Sequence, residues 1–496
     1  MFIPFEEWMP DRASLGTGSI RALNVLPTAE GFETAPGFLP ATTLPSPPGN
    51  VLDIQAFDTS AGTTATVAFC REKIWVLTGT SWFDVTRESA SIKDPYTTDP
   101  EVGFWSFAKW GDILYATNYK DPIQKFDLVA GTPCVDIDGN LPGGFRARHL
   151  IIVGDFLVAF DTNDDSGSNA APYRMHWSGR LRPEDFLPSL EFQSGYRDII
   201  DIGNIVRPIG GQYGFILGQT GSVRIDYAGP PLVWQLTGLD EDIGCLYRRS
   251  VVKVANSIFW YSPRGWRKSG GGPSVAIGTG KVDSYFRKRV DPRSTNRMST
   301  AIFRDRSVIL FSYVSVDSVD SWPDEAVFLN FDTNKFTEGR YSVKFFGQMA
   351  KPPLLTDDAV WGELLSDASD DLVDNEESER PEVIAVGVDN SLLTTSGVAP
   401  DVYMETKEVQ FFPGKKARVL RVRLVAEGDD PNYSVRISTR DTVPATQPAS
   451  DPWIIPERTG ACAADRRGRY HRFGVRLPGR FSSILGLDID AFLVGR

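Results

Sequence analysis

Short apolar strands separated by polar turns recur along this chain from about residue 60 onward. Each copy has an apolar strand, a polar turn, a second apolar strand, a further turn and an aromatic strand. Apolar and polar positions alternate within the copies, and period-two alternation is typical of half-buried strands. The six copies are Ala68–Thr86, Phe107–Leu128, Leu150–Gly179, Tyr213–Gly229, Val251–Gly272 and Ala301–Arg340. The pattern predicts an all-β protein.

The spacing of these copies indicates how the strands are grouped. The first apolar residue after the turn recurs at steps of 39, 43, 59, 43 and 50 residues, at Ile74, Ile113, Phe156, Phe215, Ile258 and Val308. A period of about 40–45 residues with four strands per unit is typical of β-propeller blades, and longer steps accommodate loop insertions. The sequence therefore predicts a propeller of six blades, or of seven if residues 383–393 form another. An irregular array of β-sandwiches is the alternative.

The two ends of the chain differ from the repeats. Residues 1–50 contain eight prolines, which favour an extended arm over a helix because proline fixes φ and lacks an N–H donor. Such an arm could add a strand to a sheet, pack across a neighbouring subunit or be a plain leader. After residue 401, apolar and polar positions alternate in Val419–Glu427, Tyr433–Thr439 and Tyr470–Leu477. We therefore expect an arm at 1–50, a propeller at 51–400 and a C-terminal β-sandwich-like domain at 401–496.

The net charge of −12 is concentrated in one segment. Residues 357–379 contain ten carboxylates and neither Lys nor Arg, whereas the rest of the chain has 54 acidic and 52 basic residues. This composition predicts a solvated acidic insertion in the propeller. From Val402 onward, 16 basic residues outnumber 11 acidic ones, so the C-terminal region is mildly basic.

The types and spacing of reactive residues argue against an enzyme or a metal protein. The four cysteines, Cys70, Cys134, Cys245 and Cys462, have no metal-ligand or redox spacing and are expected to be isolated buried thiols. The three histidines, His149, His176 and His471, form no HExxH or HxH motif. No GxSxG motif occurs either. We predict no catalytic residues, no metal site and no cofactor.

Two lookalike motifs fail on inspection. Residues 277–282, IGTGKV, have Val275 where the first glycine of a phosphate-binding loop belongs and Val282 after the lysine. Asp161, Asn163 and Asp165 have the spacing of a calcium loop, but Ser166 and Pro172 replace the required glycine and glutamate.

A basic strip lies close to the C-terminus. It comprises Arg466, Arg467, Arg469 and Arg472, next to Tyr470 and His471. In isolation such a strip could bind phosphates. Because the whole chain is acidic and has no nucleic-acid-reading motif, we expect a partner-facing or solvated edge instead.

Neither a secretory signal nor a membrane span is expected. Glu6 and Glu7 stand where a signal peptide has basic residues, and the apolar stretch 150–160 is interrupted by Asp155. The protein is therefore expected to be made in the cytoplasm.

Residues 227–286 resemble a well-kept segment of the nozzle proteins of short-tailed phages, the tail tubular protein B family of podoviruses. In that family a YxGPP turn is followed by an apolar strand, an acidic turn, a Gly-Cys pair and a closing GxxKVDxxF. The matching landmarks here are Tyr227, Gly229, Pro230, Pro231, Gly244, Cys245, Gly278, Lys281, Val282, Asp283 and Phe286. Residues 33–38, ETAPGF, resemble the family's RPG signature with Ala35 in place of arginine. Residues 468–477, GRYHRFGVRL, are similar to its closing strand.

The resemblance implies a non-enzymatic structural protein of the virion tail, assembled in the bacterial cytoplasm. It implies a homo-hexameric ring below the adaptor, or head-to-tail connector, which continues the DNA ejection channel and docks fibre or tip proteins. Double-stranded DNA would pass through transiently. The acidic segment would then be a candidate lumen or gate element, through Asp357, Asp358, Glu363, Asp370, Asp371, Glu376 and Glu377. The alternative function is a propeller that binds or hydrolyses glycans of the host surface with carboxylates at its blade tips, although no Asp-box motif is present.

Overall fold

Regular structure in this protein is almost entirely β-strand. The computed structural model describes residues 1–16, 18–41, 44–98, 103–163, 169–350, 381–428, 432–442, 452–479 and 481–494. Within these ranges the helices are α1 (Asp283–Arg289) and three single-turn 3-10 helices, Ile200–Ile202, Arg248–Ser250 and Thr295–Arg297. None of these helices is long and apolar enough to cross a bilayer. The all-β class predicted from the alternation is confirmed.

Five short strands occupy the N-terminal segment. They are β1 (Phe2–Pro4), β2 (Ser19–Leu23), β3 (Val25–Pro27), β4 (Phe32–Thr34) and β5 (Gly37–Pro40). This segment is extended, in agreement with its proline content.

Five four-stranded antiparallel sheets follow in chain order. Sheet 1 consists of β6 (Val51–Asp58), β7 (Thr64–Cys70), β8 (Ile74–Thr78) and β9 (Ser81–Asp84). A small ribbon follows, of β10 (Glu88–Ser89) and β11 (Ile92–Lys93). Sheet 2 consists of β12 (Ser106–Trp110), β13 (Ile113–Thr117), β14 (Gln124–Asp127) and β15 (Val135–Asp136). Sheet 3 consists of β16 (Ala147–Val153), β17 (Phe156–Asn163), β18 (Ala170–Trp177) and β19 (Gly195–Asp198).

The next two sheets have the same order of strands. Sheet 4 consists of β20 (Ile205–Ile209), β21 (Gly214–Gly218), β22 (Gly221–Gly229) and β23 (Val233–Glu241). Sheet 5 consists of β24 (Val252–Val254), β25 (Ser257–Ser262), β26 (Gly265–Ser269) and β27 (Val275–Ala276). In each sheet, neighbours in sequence are neighbours in space, as in propeller blades.

The last two repeats recruit strands from elsewhere in the chain. Sheet 6 begins with β28 (Ser299–Phe303), β29 (Val308–Tyr313), β30 (Glu325–Asn330) and β31 (Phe336–Arg340). Sheet 7 consists of β32 (Phe345–Met349), β33 (Glu382–Val386) and β34 (Leu392–Gly397), and its fourth strand is the N-terminal β5. Leu39 of β5 pairs with Thr394 of β34.

Six strands form the C-terminal region. They are β35 (Ala399–Thr406), β36 (Lys416–Glu427), β37 (Ser434–Arg440), β38 (Cys462–Gly468), β39 (Tyr470–Gly479) and β40 (Ser483–Val494). Sheet 6 continues through β2 into β35, β39 and β37, which makes it eight-stranded. A six-stranded sheet contains β3, β4, β40, β36 and β38, with β1 also paired to β40. The region after residue 401 is thus joined to the propeller by backbone hydrogen bonds.

Tight turns with positive φ set the hairpins inside the sheets. In sheet 2, Trp110 pairs with Ile113 across Gly111 and Asp112, and Gly111 has φ +58°. In sheet 3, Val153 pairs with Phe156 across Gly154 and Asp155. Two-residue hairpins need positive φ at the turn because only such turns match the strand twist, so glycine fits there.

Apolar clusters connect each sheet to the next. Phe69 of sheet 1 and Leu114 of sheet 2 share one cluster, and further clusters join the following sheets pairwise. Another cluster contains Phe345 and Ile384 of sheet 7 together with Ile54 of sheet 1. The apolar contacts therefore run in a cycle from the first sheet to the last and back to the first.

The repeat predicted from sequence matches these sheets, with one offset. Five of the six aligned positions lie in the second strand of a sheet, but Ile74 lies in β8, the third strand of sheet 1. The offset arose because two apolar strands around a polar turn occur twice within one four-stranded sheet. Residues 383–393 do form strands, within sheet 7.

Candidate functional sites

A cavity of about 360 Å³ lies where the first strands of all seven sheets approach one another. Each first strand contributes a wall residue, and these are Asp53, Phe107, Leu150, Arg207, Lys253, Thr300 and Phe346. Because every sheet contributes its innermost strand, we call this space the axial cavity. Sequence reasoning missed it, since its wall residues are up to about 290 positions apart.

Cationic side chains dominate the wall of the axial cavity. Arg207, Arg248, Arg249 and Lys253 line it, whereas Asp53 is the one carboxylate among its lining residues. The Nη2 of Arg249 donates to the carbonyl oxygen of Leu52 at 3.4 Å. The Nζ of Lys253 donates to that of Gly210 at 2.8 Å. Among the described residues, no carboxylate forms a salt bridge with any of the three arginines.

Crowding of like charges changes the acidity of these groups. Burial lowers the pKa of Arg248 to about 10, and the nearby guanidiniums of Arg148 and Arg207 lower it further. Burial also lowers the pKa values of Arg207 and Arg249, which Asp53 partly counteracts. The Asp53 carboxyl has a raised pKa, again because of burial. The cavity is therefore short of negative charge.

His149 is the most buried polar residue of this wall. Its side chain is 1% exposed, and neither ring nitrogen has a hydrogen-bond partner among the described residues. Burial lowers the pKa of His149 well below 6.5, and Arg248 and Arg207 act in the same direction. The ring is therefore neutral at pH 7, with one N–H donor and one acceptor unused.

The YxGPP turn lies at the contact between sheets 3 and 4. The hydroxyl of Tyr227 donates to Gln193 Oε1 at 2.8 Å, and its ring centroid is 5.4 Å from that of Phe156. Gly229 has φ +78°, and Pro230 and Pro231 form the turn between β22 and β23.

The Gly-Cys pair lies at the next contact, between sheets 4 and 5. A Cβ on Gly244 would lie 2.1 Å from the carbonyl oxygen of Gln219, so a side chain has no room there. The amide of Cys245 donates to Gly218 of sheet 4 at 2.9 Å, and Trp260 Nε1 of sheet 5 donates to the Gly244 carbonyl at 3.2 Å. Burial raises the pKa of the Cys245 thiol to about 12. All four cysteines are free and buried, as expected from their spacing.

The closing GxxKVDxxF segment joins sheet 5 to the rest of the chain. Asp283 Oδ1 accepts the Trp266 amide at 3.0 Å, and a Cβ on Gly278 would lie 2.2 Å from this carboxylate. Burial raises the pKa of Asp283. Phe286 is fully buried, with its ring centroid 4.6 Å from that of Tyr261.

Residues of the N-terminal segment complete this joint. Lys281 Nζ lies 2.7 Å from Glu7 Oε1. The carboxylate of Asp11 accepts the amides of Ser284 at 2.7 Å and Tyr285 at 2.8 Å, at the start of α1. We call the contact of these residues with Asp283 and Phe286 the arm joint. Glu7 and Asp11 had no signal in the sequence because their partners are about 270 residues away.

The basic strip does not form one surface. Arg472 is 7% exposed, and its guanidinium lies 3.4 Å from Glu408 and 3.9 Å from Glu405. It belongs to β39 of the eight-stranded sheet, whereas Arg466 and Arg467 belong to β38 of the six-stranded sheet. Arg467 and Arg469 are exposed and Arg466 is half-buried. The expectation of a continuous strip is corrected in this respect, because adjacent strands in sequence enter different sheets.

Other candidate residues are accounted for by the protein itself. Asp161 Oδ2 pairs with Arg148 Nε at 2.6 Å, and Asn163 Nδ2 donates to the Gly144 carbonyl at 2.7 Å. Asp165 lies outside the described residues. Among the residues described, no group of three or more His, Cys, Asp or Glu could hold a metal ion. The acidic segment 357–379, with Asp357, Asp358, Glu363, Asp370, Asp371, Glu376 and Glu377, also lies outside the described residues.

Comparison with known proteins gives likenesses at the level of fold. No protein-family model and no curated protein matches the chain. Among solved structures, the β-propeller domain of Cps50 (Swd1) from Myceliophteria thermophila is similar with 9% identity and a TM-score of 0.40, over 72% of this chain and 98% of that one. The computationally designed Ika8 protein is similar with 12% identity and a TM-score of 0.37, over 76% and 99%.

A third similar structure is the dihydro-heme d1 dehydrogenase NirN, with 11% identity and a TM-score of 0.36, over 90% of this chain and 78% of that one. Likeness at this level says nothing about what this chain binds or does. The repeated four-stranded sheets of the chain itself define a β-propeller protein.

Proposed function

We propose that this protein is the nozzle of a short phage tail, a non-enzymatic structural protein that assembles into a homo-hexameric ring. In this proposal the ring continues the DNA channel below the adaptor and docks fibre or tip proteins in the virion. The chain itself would be a seven-bladed propeller with a C-terminal β-sandwich.

Two features support this architecture. The cyclic apolar contacts between sheets 7 and 1 favour a closed seven-bladed propeller, because closure leaves no sheet edge unprotected. The β5 strand closes the last blade with an N-terminal segment. The two C-terminal sheets share one core, which includes Val435 of β37 and Val422 of β36, as two packed sheets of a sandwich do.

The observation that carries the functional proposal is the location of the motif residues. The landmarks that resemble the nozzle family lie at successive contacts: sheets 3 and 4 at Tyr227, sheets 4 and 5 at Cys245, and the arm joint at Asp283. These residues fix one blade to the next and fix the propeller to the arm. A motif made of such contacts suits a rigid building block of a particle, whereas a motif of a catalytic protein would converge on one site.

An exposed apolar patch supports self-assembly. The segment between β18 and β19, whose Gln193 holds Tyr227, also carries Leu181, Leu187 and Leu190, which are 67%, 46% and 91% exposed. Single exposed leucines are common, but three within ten residues beside an exposed tyrosine resemble an interface core. We assign this leucine patch to the contact between neighbouring subunits.

The charge of the chain fits passage of DNA. Outside the acidic segment, acidic and basic residues nearly balance at 54 and 52. A lumen without an excess of cations holds few phosphates in place, so DNA could slide through it. The acidic segment remains our candidate for a lumen or gate element.

Electron microscopy of the purified chain mixed with the adaptor of its phage tests this proposal. We expect six-fold rings stacked on the adaptor along the tail axis. The chain alone, incubated with host-surface glycans, serves as the control for the alternative function. Absence of ring density together with glycan binding or turnover by the isolated chain would replace the nozzle by a carbohydrate-active propeller.

A further inference from the structure

We propose that the axial cavity binds a small multivalent oxyanion, of the phosphate or polycarboxylate class, through Arg207, Arg248 and Arg249. This inference concerns the space inside one propeller and does not rest on the proposed nozzle function.

The imbalance of charge around the cavity is the first argument. Four cationic side chains and one carboxylate line it, and the three guanidiniums have no carboxylate partner among the described residues. Guanidiniums held close together in a partly enclosed space repel one another unless an anion lies between them. A multivalent anion would neutralise this excess.

The available hydrogen-bond donors are the second argument. The Nε of Arg248 is buried without a partner among the described residues, and so are both ring nitrogens of His149. Buried polar groups in proteins are almost always hydrogen-bonded, so unused donors around a cavity indicate a missing acceptor. Arginine forks match the paired oxygens of phosphates and carboxylates.

The size of the cavity limits the ligand. Its volume of about 360 Å³ lies at the lower end of the range for small-molecule sites. A pyrophosphate, a citrate or a phosphorylated small metabolite fits this volume, whereas a folded partner does not. The ring of Phe104, with its centroid 4.4 Å from Arg248 Cζ, holds that guanidinium in the wall.

Titration calorimetry of the full chain with pyrophosphate and with citrate tests the proposal. Acetate and chloride at matched ionic strength are the monovalent controls. We expect one site per chain for at least one multivalent anion, with the monovalent anions binding at least about tenfold more weakly because they neutralise less charge. Preference for pyrophosphate or for citrate then identifies the class of ligand.

Variants locate the site. Arg207→Gln should weaken binding by roughly tenfold, the loss expected for one charge-assisted hydrogen bond. Lys253→Gln, at the exposed rim, should weaken it by a smaller factor and is safe for folding. Arg423→Gln, at an exposed position of β36, should bind as the unmodified chain does.

Two results would overturn the proposal. One is the absence of both binding heat and thermal stabilisation with millimolar pyrophosphate and citrate. The other is binding that Arg207→Gln and Lys253→Gln leave unchanged, which would place the anion elsewhere. If Arg207→Gln does not fold, Lys253→Gln alone decides between these outcomes.

Discussion

At the scale of single residues, contacts between distant parts of the chain determine what each position tolerates. A Cβ on Gly265 would lie 2.2 Å from the carboxylate of Asp283, and one on Gly244 would meet the backbone of Gln219. These glycines are required by close approach of another segment, which their sequence neighbours do not reveal. The same holds for His471, which is fully buried among aromatic rings.

The first prediction concerns the pH dependence of stability through His471. Burial lowers the pKa of its ring from 6.5 to about 4. The unfolded chain therefore takes up a proton near pH 6.5, but the folded chain only near pH 4. The contribution of this group is fully present above pH 6.5 and is lost as the pH falls toward 4, on the order of 2 kcal/mol.

Substitution isolates this effect. His471→Phe keeps a ring beside Phe411 and Phe473 and cannot be protonated, so its stability relative to the unmodified chain should rise as the pH falls from 7 to 4.5. Urea unfolding at the two pH values measures the difference. Tyr470→Phe, on the neighbouring half-buried position, is the control. Equal pH dependence for His471→Phe and the unmodified chain would contradict the argument.

At the scale of elements, local signals predicted strands and turns, and tertiary contacts determined their partners. The positive φ of Gly111 and Gly154 follows from their place in two-residue hairpins, which the sequence indicates directly. In contrast, α1 has no side-chain cap from its own N-cap residue, Val282. Its cap comes from Asp11, about 270 residues earlier in the chain.

The second prediction concerns this cap. Asp11→Ala leaves the amides of Ser284 and Tyr285 without their acceptors, which costs about 1–2 kcal/mol for a helix cap. Hydrogen exchange of these two amides should accelerate by roughly tenfold or more if they exchange by local opening. Asp11→Asn retains one acceptor oxygen and should give an intermediate rate.

Glu30→Ala provides the matched control, because Glu30 is an exposed acid in the same N-terminal segment. It should leave both amides as protected as in the unmodified chain. Unchanged exchange in Asp11→Ala would show that Asp11 does not hold the arm joint together.

At the scale of the whole molecule, closure and assembly depend on surfaces that no single repeat contains. The N-terminal β5 completes sheet 7, and β2 lies between β31 and β35. The arm thus adds strands to sheets of its own chain, which is one of the alternatives that its sequence left open. The leucine patch likewise becomes visible only when side-chain exposure is known.

The third prediction concerns assembly through this patch. The double variant Leu181→Ser, Leu190→Ser should fail to form rings with the adaptor, because it removes two exposed apolar anchors from the proposed subunit contact. Its thermal stability as a single chain should stay within the range of surface substitutions, about 0.5 kcal/mol. Electron microscopy and thermal unfolding measure the two effects.

Val319→Ser is the control, since Val319 is 95% exposed and lies between β29 and β30, away from the patch. It should assemble like the unmodified chain. Normal rings from the double leucine variant would exclude the patch as the subunit contact.

The sequence by itself determined the strand content, the repeat and the isolated thiols of this protein. These properties depend on residues close in the chain: alternation fixes which side of a strand is apolar, and turn residues fix where it reverses. Tertiary structure alone decided the fourth strand of sheet 7, the separation of Arg472 from the other arginines, the arm joint and the axial cavity. Each of these depends on residues up to hundreds of positions apart, whose contacts arise from the packing of whole sheets and leave no local pattern.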